Sequence, residues 1–160
     1  MFLRFLAVPT AILGALFAAP VVAEVDLSQV QTCVAERIEA GDQPLSCIDE
    51  AQLDCTAINP ETPLVAVVCF HDASDAWNAG IRDTMMRVQS TGPEDLAVVA
   101  GIETKYDILS GLMQCDRMKE LAQAMSEDTP EAVQRQYAQC SATAAGLAYA
   151  RLHWRTREGQ

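Results

Sequence analysis

Apolar residues recur every three or four positions along three stretches of this chain. Phe70, Ala73, Trp77, Ile81, Met85 and Val88 form the first series, and Leu96, Val99, Ile102, Tyr106, Leu109 and Met113 the second. Val133, Tyr137, Cys140, Ala144, Leu147 and Trp154 form the third. A period near 3.6 puts each series on one side of an α-helix, so each reads as the core-facing stripe of an amphipathic helix. The strict alternation of a half-buried strand is missing. The apolar run at 65–68 has the density of a buried strand, but Pro63 before it and the periodic series after it favour a helix start.

The helix starts share one chemistry. Thr62-Pro63, Thr91-Gly92-Pro93 and Thr129-Pro130 each place a capping residue or glycine before a proline, which fits the first helical position because its missing N–H has no partner there anyway. Glu94, Asp95 and Glu131 follow, negative charges where the helix dipole favours them. Pro44 opens a further short helix that carries CIDEAQLDC at 47–55. Gly101 and Gly111 weaken the middle helix by roughly 1 kcal/mol each relative to Ala, and mark either a close neighbour or a bend. The predicted fold is all-α: a small disulfide-stapled bundle of four to five helices. No low-complexity linker divides the chain, so residues 24–160 read as one domain.

The six cysteines set the expected staples. In a helix, the eight positions from Cys47 to Cys55 rise about 12 Å, whereas a disulfide needs its Cα atoms within about 7 Å. Those two therefore bond different neighbours. Cys33 to Cys47 and Cys55 to Cys69 are both fourteen positions apart, and Cys47-Ile-Asp-Glu-Ala51 echoes Cys69-Phe-His-Asp-Ala73, through a short internal duplication or by coincidence. Six cysteines allow fifteen connectivities. Closing two helical corners of equal length favours 33–47 and 55–69, which leaves 115–140 to join the middle and last helices. Each bridge would contribute about 3 kcal/mol, against a typical domain stability of about 5–15 kcal/mol.

The beginning of the chain makes disulfides permissible. Arg4, an apolar run from Phe5 to Phe17, and small residues at Val21 and Ala23 read as a secretory signal peptide over 1–23, cleaved near Ala23. An uncleaved membrane anchor is the competing reading, and the shortness of the run and Pro9 within it argue against stable membrane insertion. The expected location is periplasmic or secreted. Removing Arg4 from 11 basic side chains leaves ten against 22 acidic, a formal charge of −12. Such a surface has no electrostatic reason to bind nucleic acid or anionic lipid; the charge alone reads as a solvated acidic surface, and it would attract a cationic partner.

Chemistry-bearing motifs are sparse. C-x-x-C and C-x-x-C-H are absent, His71 and His153 are the only imidazoles, and no cofactor or metal is expected. His71 stands beside Asp72, with Asp75 one turn on, but no Gly-x-Ser-x-Gly or comparable nucleophile accompanies them. An exposed histidine on an acidic helix face is the plainer reading. Trp77 and Trp154 fall on apolar stripes and read as core. The chain is not expected to be an enzyme.

From CIDEAQLDC through PLVAVVCFHDASDAWNAGI the chain resembles the LprI-type lysozyme-inhibitor N-terminal domain family, small exported cysteine-rich bacterial proteins. Cys47, Ile48, Cys55, Cys69, Phe70 and Trp77 match that pattern, and Cys115 and Cys140 match its later pair. The polar signature differs. Where the family usually has Asp after the Trp, then Leu-Asn and a Tyr, this chain has Asn78, Ile81-Arg82 and Met85. The family's Gln, Trp and later Arg fall near Thr104, Asp107 and Ala148. The resemblance implies a stapled helical scaffold that inhibits a cationic lysozyme, with the loop Gly41-Asp42-Gln43-Pro44 or the turn at Glu127 and Asp128 entering the enzyme's cleft. The alternative is an envelope accessory protein with a different partner and no lysozyme inhibition.

Overall fold

The structure, a computed structural model, describes residues 25–125 and 128–158, so the expected signal peptide lies outside the described residues. Six helices follow one another: α1 (Leu27–Glu39), α2 (Leu45–Ala51), α3 (Leu53–Thr56), α4 (Pro63–Thr91), α5 (Glu94–Met125) and α6 (Pro130–Glu158). No strand occurs among the described residues. No helix among them is long and apolar enough to cross a membrane.

Local chemistry accounts for the boundaries. Asp26 caps α1, its carboxylate accepting from the N–H groups of Ser28 at 2.9 Å and Gln29 at 3.1 Å. Pro63 occupies the first turn of α4, which ends at Gly92 immediately before Pro93. Thr129 Oγ1 accepts from the Ala132 N–H at 3.2 Å and caps α6. The single short helix expected over CIDEAQLDC is instead two, broken at Gln52, whose φ of −111° and ψ of 12° leave the helical region. The break turns Cys55 away from α1 and toward α4.

Helix α6 is the centre of the bundle. It packs along both α4 and α5, while those two touch each other only sparsely. Gly146 lies against Trp77 and Gly80 against Tyr149, so α4 and α6 run parallel. Arg151 bonds Asp107 and Arg155 bonds Glu103, so α5 runs the other way. Helices α1 and α2 close over the α4–α6 seam: Ile48 reaches Gly146, and Gln31 Nε2 donates to the Tyr149 hydroxyl at 2.6 Å.

Small residues make this arrangement possible. Ala138, Ala142, Ala145, Gly146, Ala148 and Ala150 of α6 are all buried. A Cβ on Gly146 would stand 2.6 Å from Ile48 Cγ2 and 3.1 Å from Trp77 Cε2, both fully buried side chains. Trp77 and Tyr149 pack with ring centroids 5.7 Å apart. A Cβ on Gly111 would come within 2.7 Å of the Ala144 Cβ, so this glycine marks a close neighbour. At Gly101 the nearest atom is Met85 Cε at 3.5 Å, an ordinary contact.

The α4 stripe faces the core: Phe70, Ala73, Trp77, Ile81 and Val88 are buried. Two expectations change. The α6 core face is rotated onto the alanines, leaving Tyr137, Ala144, Leu147 and Trp154 only half-buried. The α5 stripe points largely outward, with only Leu96 of the series half-buried. Val99, Ile102, Tyr106, Leu109 and Met113 are exposed, because α5 meets α6 through Ala100, Thr104, Gly111 and Cys115 on its opposite side. The helix thus carries two usable faces, and the one with less hydrocarbon is covered.

Three disulfides staple these elements: Cys33–Cys47 joins α1 to α2, Cys55–Cys69 joins α3 to α4, and Cys115–Cys140 joins α5 to α6. The first two are built into the core, with Cys47, Cys55 and Cys69 buried in it and Cys33 packed against it. The third is different, since α5 buries little else. Replacing Cys115 and Cys140 together by Ser should lower stability by about 3 kcal/mol. Amide exchange should quicken across α5 while α4 stays protected; equal acceleration in both helices would show that α5 is not separately held.

Candidate functional site

The acidic residues are unevenly distributed. Residues 25–91 hold eleven acidic side chains against three basic ones, whereas residues 92–158 hold ten against seven. The first group gathers most closely where α1 meets α2 and α3. Helix α1 ends at Ala40, and Gly41 takes φ +77°, a left-handed conformation that suits a residue without Cβ. The chain then turns through Asp42 and Gln43, both exposed, before α2 returns against α1 under the Cys33–Cys47 bond.

The turn creates two adjoining shallow clefts of about 640 Å³ and 270 Å³, which share Gln29, Cys33 and Glu50. Glu36 and Asp42 line the larger, and Asp26 and Asp54 the smaller. Arg37 is the one cation on these walls, 3.7 Å from Asp42 and 3.6 Å from Glu50. The Ser28 hydroxyl, followed by the Gln29 and Ser28 N–H groups, holds the Asp26 carboxyl below its ordinary value, so it stays ionised. The result is a rigid, carboxylate-rich recess able to take lysine or arginine side chains from a partner. Exposed pairs such as Arg37–Glu50 are weak, so an incoming cation has little to displace.

A second groove follows the α5–α6 seam. One basin of about 650 Å³ has a floor of Gly111, Ala144, Leu147 and Ala148. Another of about 540 Å³ is walled by Ile38, Pro44, Tyr106 and Trp154. The Arg151–Asp107 bond of 2.6 Å stands between them, its two residues lining both. Glu103 takes both an Nε and an NH2 hydrogen bond from Arg155, and this pairing depresses its carboxyl pKa.

The sequence-selected residues divide between core and surface. Ile48, Phe70 and Trp77, the family-motif positions, are fully buried and shape the interior. His71 and Asp75 are exposed and Asp72 half-buried on α4, with no hydrogen bond among them. Trp154 lines the α5–α6 groove instead of the core. The Gly41–Pro44 loop rims the acidic clefts; Glu127 lies outside the described residues, and Asp128 accepts from Gln136 at 3.3 Å. Among the described residues no three His, Cys, Asp or Glu side chains converge as around a metal ion. Sequence reasoning missed the α5–α6 groove and the concentration of carboxylates on α1–α3; a running charge count would have found the second. No family model, curated protein or solved structure matches the chain.

His153 reports on the opposite edge of the bundle. It is half-buried against Tyr149, ring centroids 6.2 Å apart, and its Nδ1 is buried without a partner. Burial first, then Arg157 and Arg87, push its pKa below the ordinary imidazole value. Because the unfolded chain takes the proton more readily, the stability linked to this group is present in full above about pH 6.5 and is lost as the pH falls. Urea midpoints measured from about pH 7 to about pH 5 should therefore decline less steeply in His153→Gln than in the parent. Parallel curves would remove the histidine from the acid response.

Proposed function

We propose that this chain is exported to the periplasm after removal of residues 1–23 and works by contact, holding a cationic protein against the acidic clefts between α1 and α2–α3. The single observation that carries this reading is the clustering of Asp26, Glu36, Asp42, Glu50 and Asp54 around clefts whose walls contribute one cation, Arg37. Such a field raises the rate of encounter with a basic partner and turns away acidic ones. The disulfides fit an oxidising compartment, and the Cys33–Cys47 bond keeps the recess preformed, which limits the ordering entropy of binding. No catalytic step is assigned to the chain.

The LprI-type resemblance makes a cationic lysozyme the first partner to try. A second reading, an accessory protein of another envelope assembly, draws support from the α5–α6 groove, where Tyr106 and Trp154 stand beside Arg151 and Arg155. With those arginines paired to Asp107 and Glu103, the walls suit an apolar segment, a different ligand from the one that the α1–α3 side would take.

Lysozyme turnover is the direct test. Excess oxidised protein at low ionic strength should slow the enzyme, and the effect should fade as the Debye length falls to about 8 Å near physiological salt. Glu50→Lys with Asp54→Lys should weaken binding about tenfold or more through a slower association rate. Stability should change by no more than about 0.5 kcal/mol, because both side chains are exposed. Unchanged turnover at every ratio would discard lysozyme, and periplasmic capture of another partner that Trp154→Ala releases would favour the second reading.

A further inference from the structure

We propose that a second copy of this chain seats on the outer face of α5, the two helices antiparallel and related by a two-fold axis near Tyr106. This interface shares no lining residue with the acidic clefts and does not depend on what they bind, but Ile102 and Tyr106 also wall the α5–α6 basin, which a second copy would cover.

The face is unusual for a free surface. Val98, Val99, Ile102, Tyr106, Leu109 and Met113 are between 43% and 70% exposed on one uninterrupted helix. Single exposed apolar residues are ordinary on a protein surface, whereas six adjoining ones on one helix are the kind of patch that marks an interaction site. The spacing 99, 102, 106, 109, 113 alternates three and four, the pattern by which one helix seam packs against another. A second α5 supplies the matching seam, and a two-fold arrangement satisfies both faces at once without leaving one open for further addition.

Charge selects the second copy and its direction. Asp95 and Arg117 lie eleven positions on either side of Tyr106, and neither makes an ion pair within the described residues. Antiparallel pairing about Tyr106 brings Asp95 of each copy level with Arg117 of the other, at both ends of the apolar stretch. Parallel pairing would instead set Asp95 against Asp95 and Arg117 against Arg117. Helix α5 carries six acidic and three basic side chains, a smaller surplus than the eleven to three of residues 25–91, so a second copy is opposed less here than at the acidic clefts. Ile102 and Met113 are 54% and 70% exposed, so changing them should cost the monomer fold little.

Sedimentation equilibrium on the full, oxidised chain purified from an export compartment tests this, with circular dichroism to check that each variant keeps its helices. The parent should sediment as a dimer, and Ile102→Asp with Met113→Asp should raise the dissociation constant about a hundredfold or more. Asp95→Arg and Arg117→Asp should each weaken the dimer about five- to tenfold, and the two together should restore it. A monomer at all concentrations, or a dimer indifferent to the seam variant, overturns the proposal. So does a monomer that uses Ile102 and Met113 to bind phospholipid vesicles or one copy of a different protein. Seam dependence without recovery in the double charge swap overturns the antiparallel pairing.

Discussion

The close approach of α6 to its neighbours is the constraint on which the other features rest. Gly146 leaves no room for a Cβ between Ile48 and Trp77, and Gly111 and Ala144 meet with almost no side chain between the helices. At Gly146 a bulkier residue would force the partners apart, whereas glycine lets Trp77 of α4 fill the space from one side and Ile48 close it from another, and Gly80 of α4 in turn makes room for Tyr149 of α6. Interiors are packed to near-crystal density, so this complementarity fixes where α1 and α2 can dock. The acidic recess between α1 and α2–α3 is therefore a consequence of how α6 is built.

Two of the disulfides are part of that packing, and the third holds α5 to it. Cys33–Cys47 and Cys55–Cys69 tie the short helices α2 and α3 to longer ones, because helices of seven and four residues are too short to persist by themselves. Cys115–Cys140 does for α5 what a broad apolar contact does for α4. With its small and partly polar side toward α6, α5 is held by this bond and by the Arg151–Asp107 and Arg155–Glu103 pairs. Its richer apolar side remains turned out.

Much of the fold was legible in the residues. Proline at the helix starts, the α4 stripe of large apolar residues, and the spacing of Cys47 from Cys55 each have a direct physical meaning, and the three bonded pairs are those that the helix argument favours. The α5 stripe misled for an identifiable reason. Periodicity shows that Val99, Ile102, Tyr106, Leu109 and Met113 share a side, but not whether another element covers it; Ala100, Thr104, Gly111 and Cys115 carry too little hydropathy to compete in such a reading. The same weakness hid the alanine face of α6. The total acidity was plain, while the recess was not, since it exists only once Gly41 turns the chain and Cys33 holds Cys47 beside α1.

The most direct test of this account compares Gly146→Ala with Gly101→Ala in denaturant unfolding. Both exchanges favour a helix by about 1 kcal/mol on backbone grounds. At Gly101 the added methyl meets one flexible methionine end, so the midpoint should rise. At Gly146 it meets Ile48 and Trp77 inside a filled core, so the midpoint should fall despite the same backbone gain, by an amount equivalent to about 1–3 kcal/mol. A stabilised Gly146→Ala variant would contradict the claim that close approach at α6 organises this protein.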